Sequence, residues 1–381
     1  GNNIHIESDN ILATGESIKN GNLITVKDLS NPPNIISDLY TSLSYAYDYM
    51  GINESIQISN PGTTNLDLHN SLFEQSFTSN VPNPTYIDSI NGKDIKFCGL
   101  LSTMCKTMKY SININPTPLS GISPSDTNYS IIITSNTYLE DNIQINSLSP
   151  FGYQVIIQSD RYSPEAEDDS YTKYSISTSS FSTSLFTITD VGHLSLLGLH
   201  FDNLNPSSTN PLISLTTDDN NKIPILIIID CEFDQDQTPD PIPYVYHSII
   251  SINGGQMILT ESKINSYYFN EWNFIMVNSD YYSNNNRFNN IEIIQTRFSN
   301  MHISGTWYGA AIYAQLYTGN QLLIKDSEFI LCKAPNIYGG AAFLNISNDG
   351  QASNINDGTL NIEDTTFDRC TCNQPGNGGG I

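Results

Sequence analysis

The stretch Leu360-Asn361-Ile362-Glu363-Asp364-Thr365-Thr366-Phe367 decides the fold. One apolar residue stands seven before the Phe, a second stands five before it, and the Phe closes the segment. The same offsets recur in Leu194/Leu196/Phe201, Leu226/Ile228/Phe233, Met257/Leu259/Ile264, Ile291/Ile293/Phe298 and Leu322/Ile324/Phe329, with closing residues 32, 31, 34, 31 and 38 apart. A period in this range marks a stacked repeat. Within each copy the first two apolar residues share one face of a strand, because side chains alternate. The residue two before the closing one (Leu199, Cys231, Ser262, Thr296, Ser327, Thr365) is mostly small or polar and shares a face with it. A bend must therefore separate the two pairs if both point inward. Extended pieces joined by tight bends describe one coil of a parallel β-solenoid, with coils about 4.8 Å apart. The closing residues Phe201, Phe233, Ile264, Phe298, Phe329 and Phe367 are expected to stack as a ladder inside it. The competing fold, an antiparallel sandwich, has no reason to keep one internal offset over six copies.

Composition agrees with an all-β chain. Of 381 residues only 14% are charged, yet the net charge is −24. Ser, Asn, Thr, Ile and Tyr dominate, which suits strands joined by amide-rich turns. Such acidity disfavours nucleic acid and anionic membranes as partners. The longest apolar run, Ile223 to Ile229, is strand-sized and contains Pro224, so no membrane span is expected. The chain starts at Gly1 without Met and stops at Gly378-Gly379-Gly380-Ile381, inside a motif that earlier copies continue; the solenoid is expected to run on beyond it.

Two domains are expected, a β-rich segment over 1–80 and the solenoid over 81–381. In the first, Ile4/Ile6/Ile11 and Leu66/Leu68/Phe73 satisfy the offsets, so it reads as preceding coils or as a small β domain. In the second, Val155/Ile157/Tyr162 fits the offsets and is followed by an acidic, Ser-rich insertion over 163–180. Gln235 to Pro243 and Tyr281 to Asn290 read as further surface insertions. Met108 to Ile112 has helical apolar spacing that Asn115-Pro116 would stop, and such a helix would plug the open end of the coil.

The string Tyr86-Ile87-Asp88-Ser89-Ile90-Asn91-Gly92-Lys93-Asp94, then Phe97-Cys98-Gly99, Cys105-Lys106-Thr107-Met108, Ile131 to Thr134 and Tyr138-Leu139-Glu140-Asp141-Asn142, resembles the opening of right-handed parallel β-helix proteins. The resemblance implies a right-handed parallel β-helix with a short N-terminal capping helix. Farther on, Tyr308-Gly309-Ala310-Ala311-Ile312 and Tyr338-Gly339-Gly340-Ala341-Ala342-Phe343 follow a Phe-led turn. That pairing resembles the repeats of polymorphic outer-membrane proteins and related β-helical surface proteins of protists. It implies a structural or adhesive surface protein rather than an enzyme.

Six cysteines are present. Cys231, two before Phe233, reads as a buried thiol. Cys98 and Cys105 flank a loop of the cap and can close it. Cys332 and Cys370 hold equivalent places in neighbouring coils, where stacking brings Cα atoms to roughly 5 Å, inside the disulfide window; Cys372 is the competing partner for Cys332. The alternative is that all remain reduced core thiols. Asn53, Asn128 and Asn345 head N-glycosylation sequons, which together with paired cysteines point to an extracellular or cell-surface setting.

No zinc-type Cys/His spacing, nucleophile elbow, phosphate loop or dinucleotide fingerprint is found. Of the four arginines, Arg161, Arg287, Arg297 and Arg369, none lies in an Asp-rich strand motif. Asp218-Asp219 and Asp234/Asp236 offer paired carboxylates only by count. The expectation is a rigid, glycosylated solenoid serving as a stalk or filament subunit, with itself or neighbouring surface proteins as partners. No metal or other cofactor is required, although calcium would suit the acidity. The alternatives are a polysaccharide-active enzyme and a carbohydrate-binding adhesin.

Overall fold

The computed structural model describes residues 82–94, 98–114, 128–139, 142–149, 151–164, 170–178, 181–202, 204, 208–219, 221–235, 242–277, 287–305, 308–317, 319–334, 339–346, 359–372 and 380–381, together with the backbone of four two-residue strands before them. The chain is a parallel β-helix. Its strands line up in sequence order in three long sheets of nine, eight and seven strands and a fourth of four. Each copy of the repeat is one coil.

The nine-stranded sheet starts at Thr85–Ile87 and ends at Thr359–Glu363, and it carries the paired apolar residues. Leu194 lies beside Leu226, Leu226 beside Met257, Met257 beside Ile291, Ile291 beside Leu322 and Leu322 beside Leu360. The eight-stranded sheet runs from Thr137–Leu139 to Thr366–Asp368 and carries the closing residues. Phe201 is in register with Phe233, then Ile264, Phe298, Phe329 and Phe367. The rings of Phe201 and Phe233 stack at 4.6 Å, those of Phe298 and Phe329 at 4.8 Å, and those of Phe329 and Phe367 at 4.8 Å. Ile264 interrupts the stack for a reason visible in the core. Phe274, at the edge of the third sheet, meets Phe233 at 5.2 Å and Phe298 at 6.1 Å, both edge-on, and fills the space beside Ile264.

The bend between these two sheets explains the residues around it. The residue three before the closing one is left-handed in each of the six copies: Gly198, Asp230, Glu261, Gln295, Asp326 and Asp364 have φ between 44° and 58°. Such a residue turns the chain without breaking the ladder, since Asp230 N–H still donates to Thr260 O and Gln295 N–H to Lys325 O. The next residue then points inward at a crowded corner. Its hydroxyl donates to the carbonyl two residues back in Ser262, Thr296, Ser327 and Thr365. Ser262 and Ser327 also accept the N–H of Cys231 and Thr296 from the neighbouring coil. Small polar residues stand here because they satisfy backbone groups that a buried bend would orphan. A second bend falls two residues after the closing one, at Ser266, Asn300, Leu331 and Arg369, all with positive φ. Asn300 is thus a turn residue, displaced by one from the position the surface-protein repeats suggest.

The third sheet, from Ile143–Ile145 to Ala342–Ile346, closes the coil. Its Gly-rich entries are tight corners: a Cβ on Gly309 would lie 2.5 Å from the Phe343 nitrogen. At the start of the rod the cap is present. Asp94 accepts the N–H groups of Lys106 and Thr107 at 2.9 Å each and opens a short helical segment. Met108 and Ile112 project from it fully buried against the core.

One expectation fails. The offset Val155/Ile157/Tyr162 places Tyr162 on the ladder, but the residue in register with Phe201 is Ile176. The chain leaves the nine-stranded sheet after Ser159, makes an excursion and returns as strand Ser175–Thr178. The insertion is accordingly shorter than 163–180, and Tyr162 packs outside against Tyr171. Within 1–80 the described strands Val26–Lys27 with Ile35–Ile36, and Met50–Gly51 with Asn70–Ser71, pair antiparallel with each other. The residues that carry the repeat offsets there, Ile4, Ile6, Ile11, Leu66, Leu68 and Phe73, like Asn53, lie outside the described residues.

Candidate functional site

The outer face of the eight-stranded sheet presents the two residues that flank each closing residue. Register stacks them into rows along the rod. One row reads Ser175, His200, Glu232, Lys263, Arg297, Glu328, Thr366. Coils about 4.8 Å apart bring these charges into contact. Lys263 lies 3.5 Å from Glu232, and Arg297 lies 3.8 Å from Glu328.

The densest part of this face is built by the insertion ahead of Ser175. Tyr162 and Tyr171 fold over the bend at Gly198, where a Cβ would come within 2.5 Å of the Tyr162 ring and the Tyr171 hydroxyl. This brings Tyr171 and Lys173 to Asp230, the left-handed bend residue of the next coil. The Tyr171 hydroxyl donates to Asp230. Lys173 Nζ is 2.6 Å from Asp230 Oδ1 and 3.3 Å from Glu232 Oε1. Beside them His200 Nε2 is 2.9 Å from Asp234 Oδ2 and its Nδ1 is 3.2 Å from Ser175 Oγ. Ser177 donates to Asp202 at 2.9 Å. A polar cleft of about 320 Å³ opens next to this cluster between Asp160, Arg161, Ser170, Tyr171, Thr172 and Tyr174.

The electrostatics follow from these contacts. The hydrogen bond to Asp234 raises the His200 pKa against the cost of burial, with the Asp202 and Glu232 charges adding to it. Burial opposes the charge on Lys173, but its bonds to Asp230 and Glu232 hold its pKa above the ordinary value. The imidazole of His200 and carboxylate oxygens of Glu232 and Asp234 lie within 4.8 Å of one another, a nitrogen–oxygen–oxygen set able to touch a cation. Glu232 already carries two ammonium groups, however, so the negative charge is largely balanced by the protein itself. Chemically the cluster offers a carboxylate-backed histidine for proton transfer and several hydrogen-bonding groups beside a cleft.

The cysteines and sequons divide as follows. Cys98 and Cys105 form a disulfide with Cα atoms 5.0 Å apart. Cys231, Cys332, Cys370 and Cys372 are thiols. Burial pushes the Cys231 thiol up to about 12, so it is inert core packing. Cys370 sits beside Cys332, and Cys372 sits in register with Ala334 instead. Asn128 is exposed at the lead-in to a strand. Asn345 is half-buried within strand Ala342–Ile346, paired with Gln315, a less open place for a glycan. Of the paired carboxylates expected by count, Asp218 and Asp219 take different partners. Asp218 binds Arg287 at 2.6 Å and Asp219 accepts the N–H of Asn221 in a turn, while Asp236 is outside the described residues.

Sequence reasoning missed the Lys173–Asp230–Glu232–His200–Asp234 cluster. The signal was the position one before each closing residue, which is charged or titratable in five successive coils, His200, Glu232, Lys263, Arg297 and Glu328. Among the described residues no helix is long and apolar enough to cross a membrane. Comparison of the chain with family models, with curated proteins and with solved structures finds no match.

Proposed function

We propose that this chain is an extracellular structural protein, a rigid glycosylated β-solenoid that works without catalysis as a surface stalk or filament subunit. Its partners are copies of itself or neighbouring surface proteins, as the resemblance to polymorphic outer-membrane-like repeats of protist surface proteins implies. The observation that supports the reading is the unbroken register of the nine-stranded sheet. Successive coils are tied by backbone hydrogen bonds, in three sheets through the middle of the rod, and by interior packing, the arrangement that makes a repeat protein stiff along its axis. Calcium is not needed for this role. Negative-stain electron microscopy of the natural, full-length protein tests it. Rods or end-to-end filaments one solenoid wide, with enzymatic deglycosylation lowering the mass at Asn128, are the expected result. Dispersed, compact particles and an unmodified Asn128 would remove the reading.

A second reading is favoured by the cluster at Lys173, Asp230, Glu232, His200 and Asp234, which lies beside a polar cleft. It is contact with polysaccharide, by binding or by hydrolysis. A panel of neutral and acidic polysaccharides, assayed for retention and for release of reducing ends, separates the two readings. Activity or retention lost in Glu232→Gln or Asp234→Asn supports the second; none with the wild type discards it.

A further inference from the structure

We propose that Cys370 and Cys332 form a thiol–disulfide exchange site, taking a small-molecule or protein disulfide as oxidant and stapling the last two described coils together. The inference is independent of the rod reading and stands on register. Phe329 pairs with Phe367 and Lys333 pairs with Thr371, so Cys332 and Cys370, each three after its Phe, lie side by side. The bond from Thr371 N–H to Cys332 O, 2.9 Å, fixes that register at the pair itself. In-register parallel neighbours have Cα atoms about 4.8 Å apart, inside the disulfide window of about 4.4–6.8 Å. Both side chains face the interior. The same offset holds Tyr267 and Met301 in the two preceding coils, and both are fully buried. Cys332 is also fully buried and Cys370 is half-buried, its thiol 3.3 Å from the Phe329 carbonyl of the neighbouring coil.

Their environments separate their roles. The neighbouring Cys370 side chain, together with burial, pushes the Cys332 thiol up, and the neighbouring Cys332 lowers the Cys370 pKa, so thiolate is favoured at Cys370. The Cys370 thiolate attacks one sulfur of the oxidant; its S–S bond breaks and one thiolate leaves. Cys332 then gives up its proton, by way of solvent, to that leaving thiolate and attacks Cys370 Sγ in the mixed disulfide, expelling the second thiolate, which takes the Cys370 proton back from solvent. Two cysteines are oxidised by two electrons, and one oxidant disulfide is reduced to two thiols. Cys372 does not compete for Cys332, because its partner in the neighbouring strand is Ala334.

The test incubates the full chain with graded ratios of reduced to oxidised glutathione, quenches with acid and alkylating agent, and maps the peptides by mass spectrometry. The expected result is a Cys332–Cys370 linked peptide that forms as the ratio falls. Before oxidation, Cys370 should alkylate at least about tenfold faster than Cys332. In Cys332→Ser the mixed disulfide with glutathione should be trapped on Cys370, and Cys370→Ser should leave Cys332 unmodified. Any of three results overturns the proposal: a Cys370–Cys372 link, a link between two chains, or no link at ratios where Cys98–Cys105 remains oxidised. Glutathione on Cys332 in Cys370→Ser would overturn the assignment of the nucleophile.

Discussion

Replacing Ile264 by Phe completes the ladder in sequence, and the structure says that it harms the protein. A repeat-consensus argument expects gain, since a ring at 264 would stack on both Phe233 and Phe298, each stack contributing about 0.5–1.5 kcal/mol. The space is already taken. Phe274 is fully buried and makes edge contacts with Phe233 at 5.2 Å, Tyr267 at 5.4 Å and Phe298 at 6.1 Å. Displacing it forfeits three such contacts, about 0.5–1.5 kcal/mol each, and about 1.5–3 kcal/mol of burial. Keeping it overpacks the core, at about 1–3 kcal/mol. The less costly route, overpacking, sets the effect, so Ile264→Phe should destabilise by about 1–3 kcal/mol. Ile264→Phe combined with Phe274→Leu should recover at least about 1 kcal/mol relative to the sum of the single changes, because residues in contact couple. Guanidinium denaturation followed by far-UV circular dichroism measures the global effect. Hydrogen exchange at the strands carrying 264 and 298 localises it, since solenoids lose stability coil by coil. A neutral or stabilised Ile264→Phe, or an additive double variant, would refute the argument that Phe274 occupies the missing rung.

Three further outcomes are expected. Leu331 holds φ 56° where the neighbouring coil has Asn300, so Leu331→Asn should stabilise by about 1 kcal/mol, read as a higher denaturation midpoint. His200 has a raised folded-state pKa, so its contribution is full below the unfolded value of about 6.5 and fades as pH rises through the folded one. His193 and His302 are lowered by burial and act oppositely, so the stability difference between wild type and His200→Gln, which isolates this term, should shrink above about pH 6.5. Oxidising Cys332 to Cys370 closes a loop of about 38 residues and should add up to about 4 kcal/mol in the loop-entropy account, a gain that Cys370→Ser abolishes in matched denaturation curves.

Most of the fold was legible because its cause is periodic. The residues at the places of Leu360, Ile362 and Phe367 face inward in each of the six copies, and the bend between them has a fixed length, with a hydroxyl residue such as Thr365 in four of them, so the offsets reappear from coil to coil. Tyr162 misled for a physical reason. The bend is a surface loop, and in that coil it carries an excursion that returns at Ser175, so a fixed offset no longer measures the distance to the next inward residue. The cluster at His200 and Glu232 stayed hidden because its members are neighbours across coils, about 4.8 Å apart in space and a whole repeat apart in the chain. Chemistry read along the sequence, as with Asp218-Asp219, selects turn residues instead. The cysteines were easier, since Cys332 and Cys370 share one offset from their Phe.

The two left-handed bends also govern how such a gene can change length. A coil whose inward residues match those of its neighbours is a template for its own copy. Duplicating or deleting one whole unit therefore keeps every buried row intact. A one-residue slip inside a strand flips all later side chains to the wrong face. Spacings of 31 to 38 between closing residues show where such slips were absorbed, in the connections after the second bend and never between a strand pair and its Phe in the six copies. Lineages of this protein should therefore differ by integral coils and by loop length, with the eight-residue heart of each coil left uncut.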